Sequence, residues 1–426
     1  MQRRLIALAP LTAAALCLTA APPVHAAEPA NTAGPVTPWI KRNATRLTTT
    51  DPSAPLTDLA SLGRTIGDAK IVGLGESAHG LKEQTRLKHR VLRLLVEKYG
   101  FRSLAWEEDW TLGVKINRYI RTGEGDLEAL MRESDWRSGE VADVFRWLRR
   151  YNANRKDKVQ FVGVEYYSTR PLAYDAIASY AAKAAPGLLP ELRRHLKAIR
   201  PNTENMGDYV KWYWKLENKK PYIRHAREIH RLVASLPRDR AQSLALHHAR
   251  QIVSFHEHFD LADPWPYRDA RAAENLRWWQ RRTGDKIAYW AASAHTANAP
   301  DLRITGTVLR FPSAGSHLRR WYGRQYRSVG FTFYRGTVLD DDGRPFAMPA
   351  PKNDWFERRF DGVPSDHFTL DLRRDAPAPV QRWLRAPAST RGIPTLGTAS
   401  AMTGGSLAQW FDAIVHTRTV TPATRF

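Results

Sequence analysis

Cysteine is all but missing from this chain. The one present, Cys17, lies in an N-terminal apolar stretch, so a chain cleaved after that stretch has no thiol. Disulfides, cysteine nucleophiles and cysteine-ligated zinc sites are thereby excluded together. Stability must come from an ordinary hydrophobic core, for which 426 residues are ample. Long hydrophobic runs are missing too. No segment holds about 18 uninterrupted apolar residues, so no integral membrane segment is expected. The run from Leu5 to Ala21 is short, is broken by Pro10, follows Arg3-Arg4 and leads to Val24-His25-Ala26-Ala27. That is the form of a secretory signal peptide over residues 1–26, and it predicts a secreted or extracytoplasmic mature protein. Leu16 stands where a lipoprotein signal needs a small residue before its cysteine.

Acidic residues are the third scarcity: 43 against 65 Lys and Arg, a formal net charge of +22. Such a surplus invites a polyanion, either a nucleic acid or an anionic envelope polymer. The arginines are scattered, however, in doublets such as Arg149-Arg150, Arg193-Arg194 and Arg319-Arg320. That pattern is a solvated basic surface, and no nucleic acid partner is expected.

What is present is alternation. Residues 27–50, rich in Pro, Thr and Ala, read as a flexible tether. From residue 51 to 426, strand-like runs such as "KIVGLG", "RSLAWE", "VQFVGVE" and "KIAYWAA" alternate with helical periodicity. The fold class this predicts is α/β, a mostly parallel β-sheet flanked by helices. Between about 172 and 259 the strand signals stop and amphipathic helices follow. This is a helical insertion, and its stretch Trp212-Tyr213-Trp214 serves either simple helix packing or a cap over a cleft. Leu87, Val91, Leu94, Leu95 and Tyr99 mark the helix after "KIVGLG", with Gly100 at its C-terminal stop.

The stretch "KIVGLGESAHGLKEQTRLKHR", Lys70 to Arg90, allows three chemistries. Gly73-x-Gly75-x-x-Ala78 approximates a dinucleotide fingerprint, with Glu107 near the place of a ribose-binding acid. Against it, Glu76 inside the phosphate loop would repel a pyrophosphate. Gly75-x-Ser77 resembles a nucleophile elbow, and Ser77, Asp269 and His295 follow the α/β-hydrolase order. Against it, bulky His79 fills the fifth elbow position, and Ser77 in such a place is commonly a helix N-cap. The third reading takes Glu76 and His79 as acid and base. Glu107 and His295 end other strands, so in a parallel sheet all four reach one edge, where open α/β sheets bind ligands. Two carboxylates and two imidazoles suit activation of water, with or without a divalent metal. The expectation is metal-free and without any cofactor.

Six segments, "GLGESAHGLKE", "FRSLAWEEDW", "YRDARAAENLRWW", "AYWAASAHTAN", "GSHLRRWYGRQYRSVGFTFYRG" and "FDAIVHTRTVTP", stand in the order and spacing of the erythromycin esterase family, which the chain resembles from about residue 50 onward. The resemblance implies an α/β fold that hydrolyses a macrolide lactone or other small-molecule ester. It implies His79 as general base beside Glu76, Glu107 and His295 as the other acid and imidazole, and Arg268 as a binding or oxyanion group. Lys88 stands where the family usually has Arg, Glu165 where Asp is usual, and Ala292-Ser293 where His-Asn commonly precedes the second imidazole. Lys88, Glu165 and Arg268 are thus expected at the substrate. The expected mechanism is attack by His79-activated water with no covalent enzyme intermediate. The alternatives are a metal-dependent hydrolase using Glu76, His79, Glu107 and His295 as ligands, and a non-catalytic exported binder of anionic polymers.

Overall fold

The structure is a computed structural model that describes residues 34–340 and 342–426. The signal peptide reading falls on residues outside that range. Strand-forming runs of Val, Ile, Phe and Trp become the centre of a nine-stranded sheet: β1 (Thr45–Arg46), β2 (Ile71–Glu76), β3 (Phe101–Asp109), β4 (Gln160–Glu165), β5 (Lys286–Ala292), β8 (Tyr326–Leu339), β9 (Pro345–Met348), β10 (His367–Asp371) and β13 (Ala413–Val420). The order is β1-β10-β13-β8-β2-β5-β3-β4, with β9 on β8. From β13 to β4 every pairing is parallel; the antiparallel pairs are at β1, β10 and β9. This is the mostly parallel α/β sheet read from the sequence. A separate four-stranded sheet, β11-β12-β6-β7, unites Leu302–Ile304 (β6), Arg310–Phe311 (β7), Thr390–Arg391 (β11) and Ala401–Thr403 (β12).

Both faces of the large sheet are covered, as a parallel sheet requires. Alternation sends Val72, Leu74, Leu104, Trp106 and Trp290 to one face. There they pack on Leu87, Val91 and Leu95 of α3 (Lys82–Lys98), Leu112 and Ile116 of α4 (Trp110–Thr122), and Phe145 and Leu148 of α6 (Gly139–Asn152). Ile71, Ala105, Val164, Ile287 and Tyr289 take the other face, under Ala273 and Leu276 of α12 (Trp265–Thr283) and Leu318 of α14 (Ala314–Tyr322). Helix α3 ends where expected, with Gly100 at φ +71 in the left-handed conformation that glycine adopts without strain.

The tether reading needs correction over its second half. Helix α1 (Val36–Asn43) buries Trp39 and Ile40 against Phe360, Phe368 and Val380, and β1 pairs with β10 through Thr45–Thr369 and Arg46–Phe368. Two adjacent apolar residues make too little periodicity to announce a helix, and the strand's partner lies more than three hundred residues away.

The helical insertion is present as α7 (Pro171–Ala184), α8 (Leu189–Ile199), α9 (Met206–Lys215), α10 (Lys220–Ala234) and α11 (Arg240–His258); α7, α8, α10 and α11 join around a core that includes Ile177, Leu196, Ile229 and Ile252, and α9 packs in a separate cluster on Phe255. Tyr213 is buried against Phe255, which fits the packing reading; Trp212 and Trp214 remain exposed.

Candidate active site

The carboxyl ends of β2, β3, β4 and β5 deliver Glu76, Glu107, Glu165 and the short helix α13 (Ser293–Thr296), which carries His295. Parallel register puts Glu76 opposite Ala292, whose amide donates to Glu107 Oε2 at 2.9 Å. The predicted convergence on one edge therefore occurs. It takes the form of two adjoining constellations.

In the first, His79 Nδ1 donates to Glu76 Oε1 at 2.7 Å, and the other oxygen of Glu76 accepts from Lys88 Nζ at 2.8 Å. The turn 77–80, closed by Gly80 at φ +67, swings the imidazole back over the strand end. Its ring meets Trp136 edge-on at 4.5 Å between centroids and still exposes 57% of the side chain. Burial pulls the imidazole pKa down, but the Glu76 hydrogen bond and the charges of Glu107 and Glu76 outweigh it, so the net shift is upward. The open outer face of the ring weakens the opposing burial penalty further. With Nδ1 committed, Nε2 is the free nitrogen.

Lys88 departs from its expected place at the substrate. Its side chain is fully buried, touches the Ala291 carbonyl at 3.4 Å and lies 4.4 Å from the Trp290 ring centroid. Burial lowers its pKa to about 8 against the attraction of Glu76. It is a positioning residue that fixes Glu76. The single point charge of lysine suffices there, because the second oxygen of Glu76 is already taken by His79.

The second constellation is denser. Arg268, at the start of α12, donates from Nε to Glu165 Oε2 at 3.1 Å and from Nη2 to Glu107 Oε1 at 2.8 Å. His295 Nδ1 lies 3.0 Å from both oxygens of Asp269, and its Nε2 lies 3.2 Å from Glu107 Oε1. Burial opposes charge on this ring, yet Asp269 and then Glu107 raise its pKa to about 10. The two flanking carboxylates favour its imidazolium form. Both ring nitrogens then donate, so the 3.2 Å approach of Arg268 Nη1 to Nε2 is two donors side by side rather than a hydrogen bond. Burial would raise the Glu107 carboxyl, but His295 and Arg268 hold it well below the usual range. Glu165 goes the other way: burial raises it against Arg268, and its Oε1 has no partner. Glu165 is 1% exposed, so it too is a buried support rather than a substrate contact, and Nε and Nη2 of Arg268 and both ring nitrogens of His295 are turned to carboxylates.

Ser77 is not a helix N-cap, since α3 begins five residues later at Lys82 with Leu81 before it. Its Oγ accepts from Gln84 Nε2 at 2.9 Å, and His295 faces Asp269 and Glu107 instead of any serine. The elbow reading found the Asp269–His295 pair but not its use. Asp269 and Arg268 are adjacent in "YRDARAAEN", and one supports His295 while the other bridges Glu107 and Glu165.

Against Glu76–His79 lies a pocket of about 90 Å³ whose far wall is Ile304 of β6, Arg391 of β11 with the following residues to Pro394, and Met402 of β12. The insertion helices do not line it. Met206 and Val210 of α9 border a neighbouring depression of about 560 Å³ together with Glu108, Tyr167 and Phe259. Burial there raises the Glu108 pKa to about 8. Among the described residues no three His, Cys, Asp or Glu side chains are arranged to hold a metal ion. Each cleft carboxylate accepts from a cation or an amide.

The sheet edge thus presents a carboxylate-oriented, solvent-facing imidazole beside a buried ion network, in a mostly parallel α/β fold. The family model for erythromycin esterase matches residues 96–420, and the chain belongs to the erythromycin esterase family. It is 33% identical over 129 residues to erythromycin esterase type II of Escherichia coli, a match spanning 30% of this chain and 30% of that relative's length. A crystal structure of a Bacillus cereus protein superposes with a TM-score of 0.81 at 28% identity, covering 93% of this chain and all of that one. An erythromycin esterase mutant in its open conformation gives 0.71 at 19% identity over 89% and 98% of the two chains, which concerns the fold alone.

Proposed function

We propose that the protein is an exported hydrolase that opens a macrolide lactone or a related ester by direct attack of water. The observation that carries this reading is the 2.7 Å Glu76–His79 pair with Nε2 open to the pocket. Glu76 holds the tautomer in which Nε2 accepts a proton. Water bound there attacks the carbonyl carbon as His79 takes its proton. The tetrahedral intermediate then collapses, the C–O bond to the alcohol breaks, and His79 returns the proton to the departing oxygen. The products are an acid and an alcohol, joined in one molecule when the substrate is a lactone, and the enzyme is unchanged. The pocket admits the ester group and a water, while the bulk of a large lactone rests at its mouth. Arg268 and His295 act through their charge, keeping Glu107 ionised beside His79. The export component rests on the N-terminal sequence alone and is checked by the N-terminus of protein recovered from the medium.

The test is mass spectrometry of a macrolide lactone and a panel of simple esters incubated with the mature chain, looking for the addition of one water. No hydration of any substrate would overturn the reading. Ser77→Ala is expected to retain substantial activity, and a fluorophosphonate probe is expected to leave Ser77 unlabelled; a dead, otherwise labelled Ser77 enzyme would restore the elbow mechanism. The pH profile offers a separate check. His79 must be neutral to accept a proton and its pKa is raised above 6.5, so kcat/KM should climb with pH along a limb lying above the ordinary imidazole value. A limb at or below that value would contradict the assignment.

A further inference from the structure

Attack of water on an ester places a negative charge on the carbonyl oxygen, and that oxyanion needs donors already aimed at it. The cations nearest His79 are otherwise engaged. Nε and Nη2 of Arg268 and both ring nitrogens of His295 face carboxylates, and the Lys88 ammonium is buried on Glu76. The donor has to come from another wall of the pocket.

Arg391 of β11 belongs to the wall that faces Glu76–His79. It is 3% exposed, and among the described residues no carboxylate forms a close ion pair with it. A buried cation without a partner is costly to hold. Its supports are neutral. Nη2 donates to the carbonyls of Tyr334 and Pro349, the second at 2.7 Å, and Nε donates to the Phe333 carbonyl at 3.4 Å. The guanidinium also lies 4.3 Å from the centroid of the Phe333 ring. Phe333 shares an apolar cluster with Ala78, which precedes His79 and lines the same pocket. The carboxylate whose charge reaches Arg391 is Glu357. Burial raises Glu357 to a pKa of about 7, and its Oε1 accepts from the Thr390 hydroxyl, so near neutrality it is only a partial counter-ion. Nη1 of Arg391 donates to no described residue, and it is not among the unpartnered nitrogens sealed inside the protein. Its two N–H groups are free.

We propose that Nη1 of Arg391 points into this pocket and receives the oxyanion formed when His79-activated water attacks the ester, a role that rests on the hydrolase reading above. In that step the water oxygen bonds to the carbonyl carbon, the π pair of the C=O bond passes to oxygen, and the water proton goes to His79 Nε2. The new charge meets a guanidinium already fixed by backbone carbonyls, so no donor has to turn as it forms. Ile304 and Met402 on the same wall keep the charge pair out of bulk water, where it would be screened. Collapse returns the pair to the C=O bond as the alcohol leaves with the proton from His79.

The experiment takes the ester of the panel above that the unaltered chain hydrolyses fastest, and compares that chain with Arg391→Gln and Arg391→Lys. Binding of methylphosphonate, a tetrahedral oxyanion, is measured on all three by calorimetry. Arg391→Gln is expected to lower kcat by about 10²–10³-fold while KM stays within about threefold, and to weaken methylphosphonate at least about tenfold. Arg391→Lys keeps a cation that can reach the backbone carbonyls, but one ammonium cannot serve them and the oxyanion together. It is expected to fold, to keep KM and to lose about tenfold in kcat. An arginine that is merely structural would lower the unfolding midpoint and leave kcat and phosphonate affinity per folded molecule unchanged. If Arg391→Gln does not fold, Arg391→Lys decides alone, and an undiminished kcat overturns the proposal. Unchanged kcat in Arg391→Gln, or phosphonate binding that is absent from the unaltered chain or unchanged in both variants, would overturn the role of Arg391 and leave the hydrolase reading intact. No hydrolysis of any ester by the unaltered chain would overturn both.

Discussion

His79→Ala is expected to lower kcat/KM for any ester the protein hydrolyses by about 10²–10⁴-fold, the range a positioned general base supplies, while leaving the fold unchanged. The separation of the two effects follows from exposure. More than half of the His79 side chain faces the cleft, so its removal opens little cavity, and a stability change within about 1 kcal/mol is expected. Glu76→Gln makes a poorer test. It takes the counter-charge from Lys88, which has no surface of its own, so lost activity would be confounded with a buried, unpaired cation. Steady-state kinetics and a denaturant titration of His79→Ala together decide the matter. Retained turnover would remove the base from the mechanism, whereas lost turnover with a lowered unfolding midpoint would make His79 a structural residue.

The sheet edge was legible in the sequence because a parallel strand can deliver its last residue only to the carboxyl side. Glu76, Glu107 and His295 each close an apolar run, and once β2, β3 and β5 are recognised as parallel they must approach one another. Their partition was not legible. Whether Glu107 serves His79 or His295 turns on side-chain reach of an ångström or two, and the structure gives its direct contacts to His295 and Arg268. Lys88 and Glu165 show a second limit. A charged residue matching a family position reads as a substrate contact, yet both are buried beneath the residues they support. The pocket wall at Ile304, Arg391 and Met402 lay beyond reach for another reason. Its sheet joins short strands separated by up to about a hundred residues, and two- and three-residue strands have no periodicity to detect.

The largest expected loss of stability belongs to Arg268→Ala. That guanidinium bridges Glu107 and Glu165, and removing it leaves two buried carboxylates short of a cation, a change worth about 3–5 kcal/mol when a buried pair is broken. The two acids will not share the cost equally. Glu107 keeps the His295 imidazolium and the Ala292 amide, whereas the oxygen of Glu165 that faces Arg268 loses its partner and the other has none already. Glu165 is thus the group that must desolvate its charge or take a proton. Its carboxyl pKa is already raised by burial, and without Arg268 it rises further. Between the ordinary carboxylate range and that raised value, the native variant binds a proton that the unfolded chain does not. Its stability therefore falls as pH rises through this window. The deficit relative to the unaltered protein should be greatest above neutrality and shrink as pH is lowered toward about 5, the reverse of what general acid denaturation produces. Urea titrations of both proteins at two pH values measure it. A deficit independent of pH would mean that Arg268 stabilises by packing rather than by neutralising Glu165. Adding Glu165→Gln should restore much of the loss, because the amide carries no charge to desolvate at the site where Arg268 has been removed.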